Sequence, residues 1–254
     1  MNKIVNPISE IVIKADHLTK KFGQFTAVDD ICFEVRKGEI FGFLGANGAG
    51  KTTAMRMLSG LLIPTSGVGQ VAGFDITHQP EQVKRNIGYM SQRFSLYDDL
   101  KVWENIELFG GIYGLNASQI KIKTDELMQR LNFEDERNKL VKSLPLGFKQ
   151  KLAFAVSVIH HPQVVFLDEP TGGVDPITRR NFWEMIYEAA VDGITVFVTT
   201  HYMDEAEYCD RVCILVDGKI EALDKPGDLK VRFNADSMDE VFLQLARKAT
   251  RLDG

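Results

Sequence analysis

Residues Gly45-Ala46-Asn47-Gly48-Ala49-Gly50-Lys51-Thr52 fit the phosphate-binding pattern G-x-x-x-x-G-K-[ST]. Glycines in such a loop permit backbone angles that a side chain forbids, so successive N–H groups can turn inward on phosphate oxygens. A helix begun at Lys51 adds the positive end of its dipole. Lys51 is then set to reach the β- and γ-phosphates, and Thr52 to offer a hydroxyl to Mg2+. Farther along, Val164-Val165-Phe166-Leu167 runs directly into Asp168-Glu169. In a doubly wound sheet, ligands sit at the carboxyl ends of strands. Asp168 would face the metal held by Thr52, and Glu169 would stand next to the γ-phosphate, where it can polarise a water. Attack on phosphorus asks mainly for positioning and charge neutralisation, which a metal, a lysine and one base supply. Taken singly, each motif has a plain structural reading, as a glycine turn or a solvated strand end. Together they point to a nucleoside triphosphate site.

The surrounding pattern supplies elements able to position these groups. Residues 11–18 and 31–36 alternate apolar and polar, as half-exposed strands do. Glu39 to Leu44 is an apolar strand that enters the glycine loop, and the helix after the loop carries Met55, Leu58, Leu61 and Leu62 on one face. From Asp98 to His161 the pattern is mainly helical. Val102, Ile106, Phe109 and Tyr113 share a face, and Leu127, Leu131, Leu152, Val156 and Ile159 continue it until Pro162 stops the last helix. Apolar runs at 164–167 and 194–198, with a helix from Arg179 to Ala190 between them, suit a parallel sheet covered on both faces. Asp217-Gly218 joins two strands in a hairpin. Ser237-x-x-Glu240 is a capping box that opens a helix through Leu245.

Composition bounds the remaining readings. The chain has 254 residues, 44% of them hydrophobic, enough for a well-buried core. A net charge of −5 argues against non-specific nucleic-acid binding, which needs a Lys/Arg excess. No run reaches the roughly 18 apolar residues of a membrane span, and residues 1–10 carry no apolar signal core. Cys32, Cys209 and Cys213 make no disulfide framework and read as reduced core cysteines. Asn116-Ala117-Ser118 matches a glycosylation sequon by chance near a helix start.

The residues around the two motifs carry a more specific signal. Asp168-Glu169-Pro170-Thr171-Gly172-Gly173-Val174-Asp175 resembles the extended Walker B and D-loop of ABC ATPases. Gln92, after Ile87-Gly88-Tyr89-Met90-Ser91, resembles the Q-loop glutamine, and His201, in Val198-Thr199-Thr200-His201, the switch histidine. Phe22, in Leu18-Thr19-Lys20-Lys21-Phe22-Gly23, sits where that family places an aromatic residue against adenine. The resemblance runs from residue 11 to about 245. It implies a RecA-like, mostly parallel sheet with flanking helices, an antiparallel β-subdomain and an α-helical signature subdomain. The implied organisation is an extension at 1–10, an ATPase domain at 11–235 with its helical part at about 93–162, and a C-terminal helix and tail at 236–254.

The same resemblance implies site roles. Glu169, His201 and Lys51 would be catalytic. Phe22, Gly45 to Thr53, Gln92, Gly147 and Asp175 would contact ATP, with Ala46, Asn47, Gly48, Ala49 and Gly50 forming the cradle. Thr52, Gln92 and Asp168 would hold Mg2+. The implied partners are a membrane-spanning permease subunit and a second ATPase subunit, homo- or heterodimeric, with no nucleic acid. The implied location is the cytoplasmic face of the inner membrane, as a peripheral subunit.

One stretch departs from the family. Where the signature loop usually reads Leu-Ser-Gly-Gly-Gln, this chain has Leu144-Pro145-Leu146-Gly147-Phe148. Pro145 has neither a hydroxyl nor an N–H to give, while Gly147 and the following helix start survive. With 171–176 and the Ser237 to Phe242 tail, this stretch resembles the ABC-2 exporter group. The rival readings are a soluble ABC ATPase of translation or DNA maintenance, a P-loop kinase and a non-hydrolysing binding module. The first normally has tandem domains or coiled-coil insertions. The second would leave Phe22, Gln92, Asp175 and His201 unexplained, and the third Glu169.

Overall fold

The continuous apolar runs become central strands because each needs cover on both faces. The computed structural model describes residues 10–92 and 95–252. Its larger sheet contains β3 (Ile40–Gly45), β6 (Ile87–Met90), β7 (Val164–Asp168), β8 (Thr195–Thr200), β9 (Arg211–Val216) and β10 (Lys219–Asp224). Their order is β10-β9-β3-β8-β7-β6, parallel throughout except for the β9–β10 hairpin. Asp217 and Gly218, at φ 47° and 81°, make the tight turn of that hairpin. An antiparallel sheet is built from β1 (Ile11–Phe22), β2 (Phe25–Arg36), β4 (Ser66–Val71) and β5 (Phe74–Asp75), in the order β2-β1-β4-β5.

Alternate residues of the central strands feed two cores. Phe41, Phe43, Phe166 and Phe197 face the antiparallel sheet and join Ile13, Val35 and Phe33 with α1 (Lys51–Leu58). Phe197 is central here, with ring centroids 5.2–5.7 Å from Phe43, Phe166 and Phe41. Burying one such side chain contributes about 1.5–3 kcal/mol. The opposite face sends Leu44, Val165, Leu167, Val196 and Val198 against α6 (Pro176–Val191). The last helix, α8 (Met238–Leu252), packs into this core through Met238, Val241 and Leu245. A third core lies within the helices α3 (Val102–Ile112), α4 (Ala117–Leu131) and α5 (Leu146–Val158), while two shorter helices, α2 (Pro80–Asn86) and α7 (Pro226–Phe233), precede β6 and follow β10. The sheet-helix architecture, the antiparallel subdomain and the helical subdomain expected from the resemblance are all present. No described helix is long and apolar enough to cross a membrane.

Several local expectations need correction. α1 stops at Leu58, before Gly60 at φ 68°, so Leu61 and Leu62 lie beyond it and Leu61 is exposed. α5 ends at Val158, ahead of Pro162, and His161 takes a positive φ. Cys209 and Cys213 are buried, but Cys32 points outward from β2. The capping box at α8 is split. Ser237 Oγ accepts from the Glu240 N–H at 3.2 Å, whereas the Glu240 carboxylate reaches the Asp236 N–H at 2.9 Å. That helix also runs past Leu245 to Leu252. Asn116 is the N-cap of α4, accepting from the Gln119 N–H at 3.0 Å. The expected extension at 1–10 falls almost wholly outside the described residues.

Candidate functional site

β3 ends at Gly45 in the middle of the sheet, and the chain must turn there to begin α1 behind it. Gly48 and Gly50 take φ of 86° and 101°. At Gly50 a Cβ would also lie 2.3 Å from the Ala27 carbonyl oxygen, so only glycine allows β2 to press against the loop. Gly50 caps α1 without a side-chain acceptor, which leaves the first amides of the helix free for an anion. Lys51 folds back beneath the loop. It is 4% exposed, and its Nζ donates to the Gly45 and Ala46 carbonyls at 2.9 and 3.1 Å.

The carboxylates arrive from β7, two strands away across β8. Lys51 Nζ is 3.2 Å from Glu169 Oε1. Thr52 Oγ1 donates to Asp168 Oδ1 at 3.1 Å. Glu169 sits at φ 48°, an uncommon angle for a residue with a side chain, and its N–H is held by Thr199 O and Oγ1, both at 3.1 Å. The other Glu169 oxygen accepts from Gln92 Nε2 at 3.2 Å and from His201 Nδ1 at 3.0 Å. One carboxylate therefore gathers a lysine, an amide and an imidazole contributed by α1, the end of β6 and the end of β8. Asp168 is 3% exposed, and burial pushes its carboxyl above the ordinary carboxylate range, against the opposing pull of hydrogen bonds from Thr199 and Thr52.

The remaining predicted residues lie apart. Phe22 is 49% exposed at the tip of the β1–β2 hairpin, beneath Lys20 Nζ at 5.2 Å. Gly147 is in the first turn of α5, where a Cβ would meet Thr178 Cγ2 at 2.9 Å. Asp175 caps α6 through the N–H groups of Ile177 and Thr178, each at 3.0 Å. Among the described residues, no hydrogen bond or ion pair joins Phe22, Gly147 or Asp175 to the glycine loop. Pro145 is the N-cap of α5 and offers no side-chain acceptor, so Leu146 and Gly147 already belong to the helix.

Two residues without an assigned role in the sequence reading enter the site. Thr199 Oγ1 donates to Asp168 Oδ1 at 2.7 Å. Its register opposite Asp168 follows from β7–β8 pairing, which no local pattern reveals. Gln150, fully buried in α5, donates to the Pro170 carbonyl and so ties the helical subdomain to the segment after Glu169. Gly88 helps seat the same helix, because a Cβ there would fall 2.0 Å from the Ser157 carbonyl oxygen.

The site's surroundings agree with proteins already known. The chain is 47% identical over 241 residues to the probable multidrug ABC transporter ATP-binding protein YbhF of Escherichia coli (strain K12), a match that covers 93% of the chain and 42% of YbhF. It therefore spans less than half the length of that relative. It is 37% identical over 219 residues to the Nod factor export ATP-binding protein I of Ralstonia nicotianae, covering 86% of the chain and 68% of that protein. A solved ATP-binding subunit of an ABC transporter superposes with a TM-score of 0.83 at 26% identity, covering 92% of the chain and 99% of the other. Residues 28–172 match the family model described as ABC transporter. With a glycine cradle, a buried lysine and a carboxylate pair meeting at the end of a parallel sheet, the chain belongs to the ABC transporter family.

Proposed function

We propose that the chain binds ATP with Mg2+, hydrolyses it to ADP and phosphate, and so powers transport, in the export direction, through a separate membrane subunit. The observation that carries this reading is the meeting of Lys51 and Thr52 with Glu169 and Asp168, at 3.2 and 3.1 Å.

The donor set fits a hard cation. The Thr52 hydroxyl, a carboxylate oxygen of Asp168 and the amide oxygen of Gln92 are the oxygen ligands Mg2+ favours. When bound, the ion would neutralise charge on the β- and γ-phosphates. Lys51 exchanges part of its contact with Glu169 for phosphate oxygens. The amides of Gly48 to Thr53 surround the phosphate chain. Glu169 orients a water for in-line attack, and His201 donates to the γ-phosphate. Phe22 offers its exposed ring to the adenine.

Gly147, the α5 amides and Asp175 lie away from this chain's own glycine loop. They would serve the nucleotide of a second ATPase subunit, homo- or heterodimeric. Helix starts favour anions, so the altered signature loop keeps a weaker form of that contact. The ATPase unit comprises residues 11–235, with a helical part at about 93–162, and the segment from Arg93 to about Tyr113 carries motion to the permease at the cytoplasmic face of the inner membrane. The names of the relatives, a multidrug transporter protein and a Nod factor exporter, support the export direction.

Phosphate release from MgATP by the purified chain, beside Lys51→Ala, tests the reading. Release by the wild type and its loss in the variant are expected. A chain with no affinity for magnesium nucleotide would overturn it.

A further inference from the structure

Behind the carboxylate pair lies a partly buried polar chain whose members Thr171, Arg179 and Glu205 the hydrolytic mechanism does not use. Glu205 stands on the short 3-10 helix Met203–Tyr208, just after His201, and is completely buried. Thr171, two residues after Glu169 and itself 1% exposed, donates from Oγ1 to Glu205 Oε1 at 2.5 Å. Arg179, in the first turns of α6, brings Nε to 3.7 Å from the same oxygen and one terminal nitrogen to 3.5 Å from Asp204. Its guanidinium lies 4.3 Å from the Tyr202 ring centroid, and that ring is 4.2 Å from the ring of His201. Contacts thus run without a gap from Thr171, at the root of the segment that carries Asp175, to the imidazole that touches Glu169.

The chain is incompletely bonded. Arg179 Nε and Glu205 Oε2 are both buried and have no hydrogen-bond partner. Leaving buried polar atoms of charged groups unbonded is costly, and native structures usually remove such cost. The separation of 3.7 Å exceeds a charge-assisted hydrogen bond by about 0.8–1 Å. A shift of that size in residues 171–175 or in the first turn of α6 would close the pair. The guanidinium rests on Tyr202, so such a shift is felt at His201.

We propose that Glu205, with Arg179 and Thr171, is a positioning residue for His201: closure of the Arg179–Glu205 pair couples the placement of the Asp175 segment to the orientation of the imidazole. This rests on the reading that the chain hydrolyses ATP with a second subunit facing Asp175. Glu205 is fully buried, away from solvent. It acts through Tyr202 and His201.

The test is a double-mutant cycle of Glu205→Gln and His201→Ala in the full chain. It is read by phosphate release as kcat and KM, by equilibrium binding of a fluorescent ATP analogue, and by melting temperature. Glu205→Gln keeps an acceptor for Thr171 and removes the charge that draws Arg179. Expected is a loss of about tenfold in kcat with KM for ATP nearly unchanged, and a much smaller further loss when His201 is already absent. Arg179→Lys, which keeps the charge and loses the planar fork, should behave like Glu205→Gln and serves in its place if that variant fails to fold. Equal losses in both backgrounds, or an unchanged kcat, would overturn the coupling. A wild-type chain that releases no phosphate removes the hydrolytic reading and this inference with it. A hydrolysing wild type with an additive cycle removes this inference alone.

Discussion

Glu169→Gln separates the two tasks proposed for one carboxylate. The first is electrostatic. Glu169 Oε1 lies 3.2 Å from Lys51 Nζ, between side chains only 10% and 4% exposed. At that distance the direct attraction is about 5 kcal/mol for an effective dielectric of about 20, before the cost of desolvating both groups. Removing one partner of such a pair costs roughly 3–5 kcal/mol. The low end applies, because Lys51 keeps the Gly45 and Ala46 carbonyls. The variant should therefore melt below wild type without nucleotide. A γ-phosphate then supplies the missing counter-charge, so ATP should raise its melting temperature more than it raises that of wild type.

The second task is chemical. A positioned base contributes about 10²–10⁴ in rate, equal to about 2.7–5.5 kcal/mol of barrier. Phosphate release should fall by that factor while ATP binding persists. Undischarged ATP should hold two copies together, visible as a larger species in size-exclusion chromatography. Hydrolysis at the wild-type rate with no nucleotide-dependent dimer would refute the assignment of Glu169. Loss of ATP binding would refute the reasoning about Lys51.

Three further outcomes follow from the geometry. Gly50→Ala places a methyl 2.3 Å from the Ala27 carbonyl at φ 101°. The left-handed angle alone costs about 1–2 kcal/mol, so melting should fall by at least roughly 2–8 °C with loss of ATP binding. Gly23→Ala, at φ 58° in open space, should cost less and leave binding intact; equal behaviour of the two variants would contradict the packing argument. Asp168→Asn keeps an acceptor for Thr52 and Thr199 and removes a buried charge whose carboxyl burial has raised. A raised folded value adds stability only on the acid side, and that stability is lost as pH climbs through it. The variant should melt above wild type at pH 7, with the difference shrinking toward acid, and should lose magnesium-dependent hydrolysis. A scanning-calorimetry series in which the gap widens toward acid would contradict the sign. Gly147→Asp puts a negative charge at the start of α5, where anions are favoured. Hydrolysis should vanish while the monomer still binds ATP, and normal turnover would count against contact across a dimer.

Local chemistry made much of the site legible. Gly45 to Thr52 announces itself because an inward-turned backbone needs glycine at particular positions, and Gly48 and Gly50 adopt the positive φ that requires it. Asp168 and Glu169 are visible because a buried strand ending in acids is a short-range pattern. The central strands declare themselves by apolar runs that only a doubly covered sheet can bury. Helix ends were less legible. Leu61 and Leu62 keep the helical spacing of α1 but lie past Gly60, where backbone conformation overrides periodicity.

Tertiary structure alone decided which groups meet. Thr199 reaches Asp168 because β7 and β8 pair in a given register, and register is set by packing between distant segments. The capture of Glu169 by Lys51, Gln92 and His201 joins three separate elements. Cys32 faces solvent although its residue type favours burial, because only the paired strand determines which side is out. Arg179 and Glu205 carry no pattern in sequence, and the motif that contains Thr171 does not point to them. Their relation exists only once α6 and the stretch after His201 are folded together. Residue types along the chain specify what each position can do, while the distances that turn those capacities into a site arise from contacts far apart in sequence.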